Sequence, residues 1–185
     1  MDTKEKILQT TFLLLIEKGY DRISISDIQR ESGVSRGLLY YFFKNKADLL
    51  FAACRKYFFD KYMTVDVNTI SLRGFLDHIK GVVHSLTDFN GREIDILKYN
   101  TLYSCVLVCE PRFWDYIVAE LGKASIIIEN AKKRGEVKDL PTHFIGATFL
   151  SILGRTSYVT ATPSNTYVRS RILEDIDMFY ELIKL

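Results

Sequence analysis

The reading of the fold begins at residues 24–46, Ser24-Ile25-Ser26-Asp27-Ile28-Gln29-Arg30-Glu31-Ser32-Gly33-Val34-Ser35-Arg36-Gly37-Leu38-Leu39-Tyr40-Tyr41-Phe42-Phe43-Lys44-Asn45-Lys46. Ser24 and Asp27 have the spacing of a capping box in its Asp form. The serine hydroxyl accepts from the Asp27 amide, and the carboxylate faces the positive end of the helix. Gly33 stops that helix about two turns later. Ser35 caps a second helix of about two turns, reaching Phe42 or Phe43, and Asn45 with Asp48 starts the next. A glycine in a three- to four-residue turn between short helices marks a helix-turn-helix. The turn holds the second helix steeply, so that its first side chains can enter a DNA major groove.

Outward from this stretch nearly everything reads as helix. Upstream, Ile7, Leu8, Thr11, Phe12, Leu14, Leu15 and Ile16 form a broad apolar stripe over residues 3–18, ended by Gly19. Downstream, a fourth helix runs over 46–62. The run Thr64-Val65-Asp66-Val67-Asn68-Thr69-Ile70 contains poor helix formers and makes a joint, and the segment 62–71 is the expected hinge. Helices follow at about 71–88, 92–109, 112–134, 142–160 and 166–183. Asn90-Gly91, Gly135, Pro141 and Pro163-Ser164-Asn165 punctuate them, and Pro111 falls at a helix start, where its missing N–H is harmless. The expected fold is all-α with about nine helices. Residues 1–46 form a three-helix head, helix 46–62 connects it, and residues 63–185 form a larger helical body.

Composition narrows the function. The chain has 185 residues, 48% hydrophobic and 26% charged, enough apolar content for a folded core and against disorder. Turn signals are too sparse for a many-stranded sandwich. No apolar run reaches the ~18 residues of a membrane span, and the amphipathic N-terminus is no signal peptide. Three cysteines, Cys54, Cys105 and Cys109, make no even disulfide framework, which points to a reduced, cytoplasmic protein. Residues 1–62 hold 11 Lys+Arg and 8 Asp+Glu, so the net +3 of this third exceeds the chain's +2 and favours a polyanion partner there. Nucleophile elbow, phosphate loop and HExxH signatures are absent, so neither an enzyme nor a cofactor or metal is expected.

The run from Gly33 to Leu50, with Gly19-Tyr20, Ser24-Ile25 and Asp27-Ile28 upstream, resembles the DNA-binding signature of the TetR/AcrR family of bacterial transcription regulators. The likeness covers about residues 3–50. It implies that Ser24 caps the first motif helix and touches a phosphate, and that Ser26 projects toward DNA. It implies that Ser35 and Arg36 begin the recognition helix and that Gly37 lets the backbone approach the duplex. Tyr40, Tyr41 and Lys46 then reach phosphates. Arg36 has the fork that fits guanine O6 and N7, whereas phosphate contacts fix register without reading sequence. Leu39, Phe42 and Phe43 are expected in the core. Three positions depart from the family pattern. Leu38 stands where Thr is common and can only pack on a thymine methyl. Lys44 replaces a common Pro, and Gln29 a usual Ala.

The body resembles no motif. The family resemblance implies a homodimer on a palindromic operator, released by a small-molecule effector. Dimerisation is assigned to Ala147, Leu150, Gly154, Ile172, Ile176 and Phe179, at helical spacing on the last two helices. Gly146 and Gly154 are read as close-approach positions, and Tyr158 continues the first stripe. An ordinary intramolecular core is the alternative. The effector is expected among the aromatics of residues 75–118, which include Phe89. It is assigned to Phe75, Leu102, Tyr103, Val106 and Trp114, with Tyr103, Asn100 and His78 as polar tips. Cys105 and Cys109 share a helix face, with His78 and His84 on a neighbouring helix. They read as buried small hydrophobes rather than a sensor. Lys132-Lys133-Arg134 reads as solvated capping at a helix C-terminus. A second reading stays open: a small-molecule binding protein whose head no longer binds DNA.

Overall fold

The computed structural model describes residues 2–60, 64–87, 91–154 and 164–185. These residues form nine α-helices: α1 (Thr3–Lys18), α2 (Ile25–Ser32), α3 (Arg36–Phe42), α4 (Lys46–Cys54), α5 (Leu72–His84), α6 (Ile96–Cys109), α7 (Phe113–Lys133), α8 (Thr142–Leu153) and α9 (Asn165–Ile183). Two isolated bridges, Thr87 with Glu93 and Val137 with Lys184, are the β-type pairings among the described residues. The all-α expectation holds. Phe89, Tyr158 and the expected ends of the fourth and eighth helices, 61–62 and 155–160, lie outside the described residues, as do residues 62–63 of the expected hinge.

Helix ends follow the local chemistry. Ser24, Ser35, Asn45, Ser71 and Ser164 each accept a backbone N–H from the first turn they cap. Gly19 and Gly33 close α1 and α2 at φ 83° and 68°, values that a side chain resists. The largest differences from the periodicity reading surround one buried arginine. Arg169 of α9 donates to the carbonyls of Val83, His84 (3.1 Å), Leu86 (3.3 Å) and Ile94 (3.1 Å). It therefore ends α5 at His84 and holds residue 94 non-helical, so α6 starts at Ile96 behind its cap Asp95 rather than near 92. A cation at the negative end of a helix is favoured there, and the carbonyls replace its lost water.

α4 does not run on as regular α-helix. Residues Arg55–Phe59 form a π-helical turn, and the consecutive Phe58 and Phe59 are both buried. The extra residue in such a turn brings neighbours together that a regular helix would separate. One continuous core joins head and body. Phe12 of α1 stacks on Tyr57 at 4.8 Å between ring centres, and meets Phe58 at 5.2 Å and Tyr99 of α6 at 6.2 Å.

Candidate nucleic-acid interface and body cavity

The α2–turn–α3 unit is built from within. Ser24 Oγ accepts from Asp27 N at 3.1 Å and donates to Asp27 Oδ2 at 2.6 Å. Asp27 also receives Lys18 Nζ at 2.6 Å and Arg30 Nη2 at 2.9 Å. Lys18, with the Ser24 hydroxyl and amide, holds the Asp27 carboxyl well below the usual carboxylate range. The single hydroxyl proton of Ser24 is thus committed to Asp27, so the expected phosphate contact has no hydroxyl donor while the box stands. Buried Ser32 donates to Ile28 O at 2.5 Å, which fixes the end of α2 against the turn.

Ser26, Ser35, Arg36, Gly37, Tyr40 and Tyr41 are exposed, and Leu38 and Lys46 are half-buried. Ser35 Oγ accepts from Leu38 N at 3.2 Å, which leaves its proton for an outside acceptor. The Arg36 guanidinium lies 5.6 Å from the centre of the Tyr40 ring. Leu39 and Phe43 are buried and Phe42 is half-buried. The aromatic run therefore divides between packing and surface. A Cβ added at Gly37 would meet nothing within 4 Å. The chain has no internal need for glycine at this position in the first turn of α3, where it costs up to about 1 kcal/mol relative to alanine. The exposed Lys6, not singled out by the sequence, brings its Nζ close to Gly33 in the turn. An exposed Lys in the first turn of an amphipathic helix carries no local signal of that placement.

The body holds a partly open cavity of about 580 Å³, walled by the π turn and by α5 to α9. Of the residues assigned to the effector, Phe75, Tyr103 and Asn100 line it. Leu102, Val106, Trp114 and His78 are absent from its wall. Leu102 and Val106 are buried on the neighbouring edge of α6, because the cavity takes the edge carrying Tyr99, Tyr103 and Leu107. Trp114 is 58% exposed at the start of α7, so it cannot contribute an inner wall. Sequence reasoning missed Phe58, Phe59 and Glu120, which all line the cavity. Burial pushes the Tyr103 phenol up, helped by the Glu120 carboxylate, so that the phenol stays neutral.

The residues assigned to dimerisation separate. Ile172, Ile176 and Phe179 are buried in the chain's own core, with Phe179 stacked on Phe149 at 6.0 Å. Own-chain helices already cover that α9 stripe, which removes it from the outer face. Ala147, Leu150 and Gly154 are exposed and lie along the cavity rim. Gly154 is the C-cap of α8 rather than an interior residue, and Gly146 faces Ile128 of α7 within the chain. Apolar groups left outside on these two helices include Phe144 and Leu150 on α8 and Met178 and Leu182 on α9.

The cysteines also depart from expectation. Cys54 alone is buried; Cys105 is half-buried and Cys109 is exposed, with the Cys105 and Cys109 sulfurs 3.7 Å apart. No group of three or more His, Cys, Asp or Glu that could hold a metal occurs among the described residues. At the end of α7, Lys132 pairs with Glu129 at 3.6 Å and Asp139 at 3.7 Å. Arg134 donates to Ile70 O at 3.2 Å, so Lys132 and Arg134 of this basic triplet are engaged within the chain, while Lys133 is exposed.

This fold, two short capped helices on a helical body, defines a helix-turn-helix protein. Residues 7–53 match the model of the bacterial regulatory proteins of the tetR family. The HTH-type transcriptional regulators YerO and YvdT of Bacillus subtilis are 39% identical over 56 residues and 35% identical over 85 residues. Those stretches are 30% and 46% of this chain, and the chain spans only 19% and 37% of the relatives' lengths. A TetR transcription regulator from Haloarcula marismortui shares the fold, with TM-score 0.71 and 18% identity over 100% of this chain and 99% of that one. Residues 7–53 thus carry the DNA-binding region of the tetR family, and the chain as a whole shares the fold of TetR-family regulators.

Proposed function

We propose that the protein is a ligand-responsive repressor that binds a palindromic operator as a homodimer. The observation that carries this reading is the path of one helix. α4 starts at Lys46, beside the recognition helix, and its continuation ends in Phe58 and Phe59 on the cavity wall. A molecule filling the cavity presses on those two rings and so on the element that carries the head. A coupling of about 1–3 kcal/mol between cavity and head changes operator occupancy 5–150-fold.

In this reading residues 1–46 are the head, α4 is the connector, and residues 63–185 are the effector-binding and dimerisation body. Arg36 reads a base, with its guanidinium placed over Tyr40. Ser26, Ser35, Tyr40, Tyr41 and Lys46 contact phosphates, and Gly37 leaves room for the duplex. Ser24 acts by capping α2. The exposed apolar groups Phe144, Leu150, Met178 and Leu182 supply the dimer face, since apolar surface left outside marks an interaction site. Two heads then sit about 34–36 Å apart over successive major grooves. No described helix is long and apolar enough to cross a membrane, which suits a protein working on cytoplasmic DNA.

The test is retention of sheared genomic DNA by the purified protein at moderate salt, followed by sequencing. An enriched palindrome is expected. Arg36→Ala should weaken that site more than unrelated DNA. Lys46→Ala should weaken all sequences and flatten the salt slope by about one unit. No retention even at low salt overturns the repressor reading and leaves a small-molecule binding protein with an inactive head.

A further inference from the structure

The wall that α7 presents to the cavity has one charged member. Ile117, Glu120, Leu121, Ala124 and Ile128 fall at i, i+3, i+4, i+7 and i+11, a single helical stripe, and all five line the cavity. Glu120 Oε1 receives Lys123 Nζ at 2.9 Å. Glu120 Oε2 is buried and has no hydrogen-bond partner. Several other polar groups on the wall are engaged within the chain. Asn100 Nδ2 donates to Leu153 O at 2.8 Å, Ser125 Oγ to Leu121 O at 2.8 Å, and Tyr99 Oη to Tyr57 O at 3.2 Å. Thr142 donates to Glu129 and accepts from Lys132 at 2.8 Å.

A carboxylate oxygen kept from water and given no donor is a cost the fold carries without return. Lys123 does not relieve it, because its ammonium sits on the other oxygen and its side chain is 43% exposed. Beside Glu120 stands Tyr103, close enough for the carboxylate to help push up its phenol. Tyr103 packs edge-on against Phe58 at 5.3 Å and tilted against Phe59 at 5.8 Å. An electron-rich aromatic wall next to a carboxylate oxygen without a donor is the environment that recognises an organic cation carrying N–H groups. Most of the rest of the wall, including Phe75, Ile79 and Phe149, is apolar and suits a hydrocarbon body.

We infer that the cavity binds an apolar amine, protonated at neutral pH, whose N–H group meets Glu120 Oε2 beside Tyr103 and whose hydrocarbon body fills the remaining space. This rests on the reading of the cavity as the effector site. It assigns that site a ligand class and gives Glu120 the role of selecting charge.

The test uses the full-length protein and a chain-matched series, decylamine, decanol and decanoate, with affinities measured by titration calorimetry. Wild-type protein should bind decylamine at least about tenfold more tightly than decanol, and decanoate weakest, since a charge-assisted hydrogen bond is stronger than a neutral one. Glu120→Gln should bring amine and alcohol to within about threefold, chiefly by weakening amine binding. Equal wild-type affinities for amine and alcohol overturn the assignment but keep the cavity as an apolar ligand site. So does an amine preference that survives in E120Q. Failure of all three probes to bind overturns the effector reading as well. The wild-type comparison stands alone if the variant does not fold.

Discussion

Arg112 donates from Nη1 to Asp48 Oδ1 at 2.8 Å and from Nη2 to Ala47 O at 3.2 Å. It thereby ties the residue before α7 to the first turn of α4. The same guanidinium lies 4.2 Å from the centre of the Phe51 ring and holds Glu110 Oε2 at 2.7 Å. Asp48 sits two residues beyond Lys46, so this latch joins a helix of the cavity wall to the DNA side of the connector. The Glu110 carboxyl is held below its usual range by Arg112, and the residue is buried.

Removing the latch should therefore leave a buried, unpaired carboxylate. Arg112→Ala is expected to cost about 1–3 kcal/mol of stability. For a chain of this size that lowers Tm by a few degrees to about 10 °C. Adding Glu110→Gln should restore part of the loss. Calorimetric melting of the single and double variants decides it. A double variant no more stable than R112A would mean that Glu110 is not the group left stranded.

Gly37 separates folding from DNA binding. Gly37→Ala should raise stability by up to about 1 kcal/mol, because the helix gains propensity and the new methyl meets nothing in the chain. Operator affinity should fall at the same time, as the methyl enters the space assigned to the duplex. Denaturant melts and fluorescence anisotropy on the selected operator give the two readouts. Unchanged affinity would take Gly37 out of the interface.

The Asp27 box gives the head an acid-sensitive hinge point. The folded pKa of Asp27 is depressed. Its stabilisation is complete above the ordinary carboxyl pKa of about 3.9 and is lost as pH falls below that toward the folded value. Wild-type Tm should drop across this acid window. Asp27→Asn should melt lower at neutral pH and depend less on pH below 4. Parallel curves for the two proteins would show that Lys18 and Arg30 do not draw their contribution from this carboxylate.

Thiol reactivity should rank the cysteines by exposure. Burial pushes the Cys54 thiol up and closes it off, and burial also raises Cys105, next to Cys109. Cys109 should react first with a thiol reagent, Cys105 more slowly, and Cys54 only in denaturant. Mass mapping of a timed reaction checks the order. Early modification of Cys54 would mean that the α4 packing opens readily.

The head was legible because its determinants are local. Ser24 with Asp27, Gly33, Ser35 and Asn45 act within one helical turn of themselves, and each performs the capping or turn role its position implied. The helix count was legible for the same reason. The body was harder. Periodicity marks Ile172, Ile176 and Phe179 as one apolar stripe, but a stripe is silent on whether the same chain or a second copy covers it. Glu120 stood in the sequence at the stripe position of α7, and a lone charge in an apolar stripe was the available signal.

By itself, then, the sequence determined an all-α chain with a helix-turn-helix head, since caps, turns and periodicity depend on neighbours a few residues apart. Only the tertiary structure decided which face of each body helix looks into the cavity. It also decided that Arg169 ends α5 from 85 residues away at His84, and that a π turn puts Phe58 and Phe59 on the cavity wall. These depend on contacts between distant segments, where burial and hydrogen-bond satisfaction are settled by packing rather than by local preference.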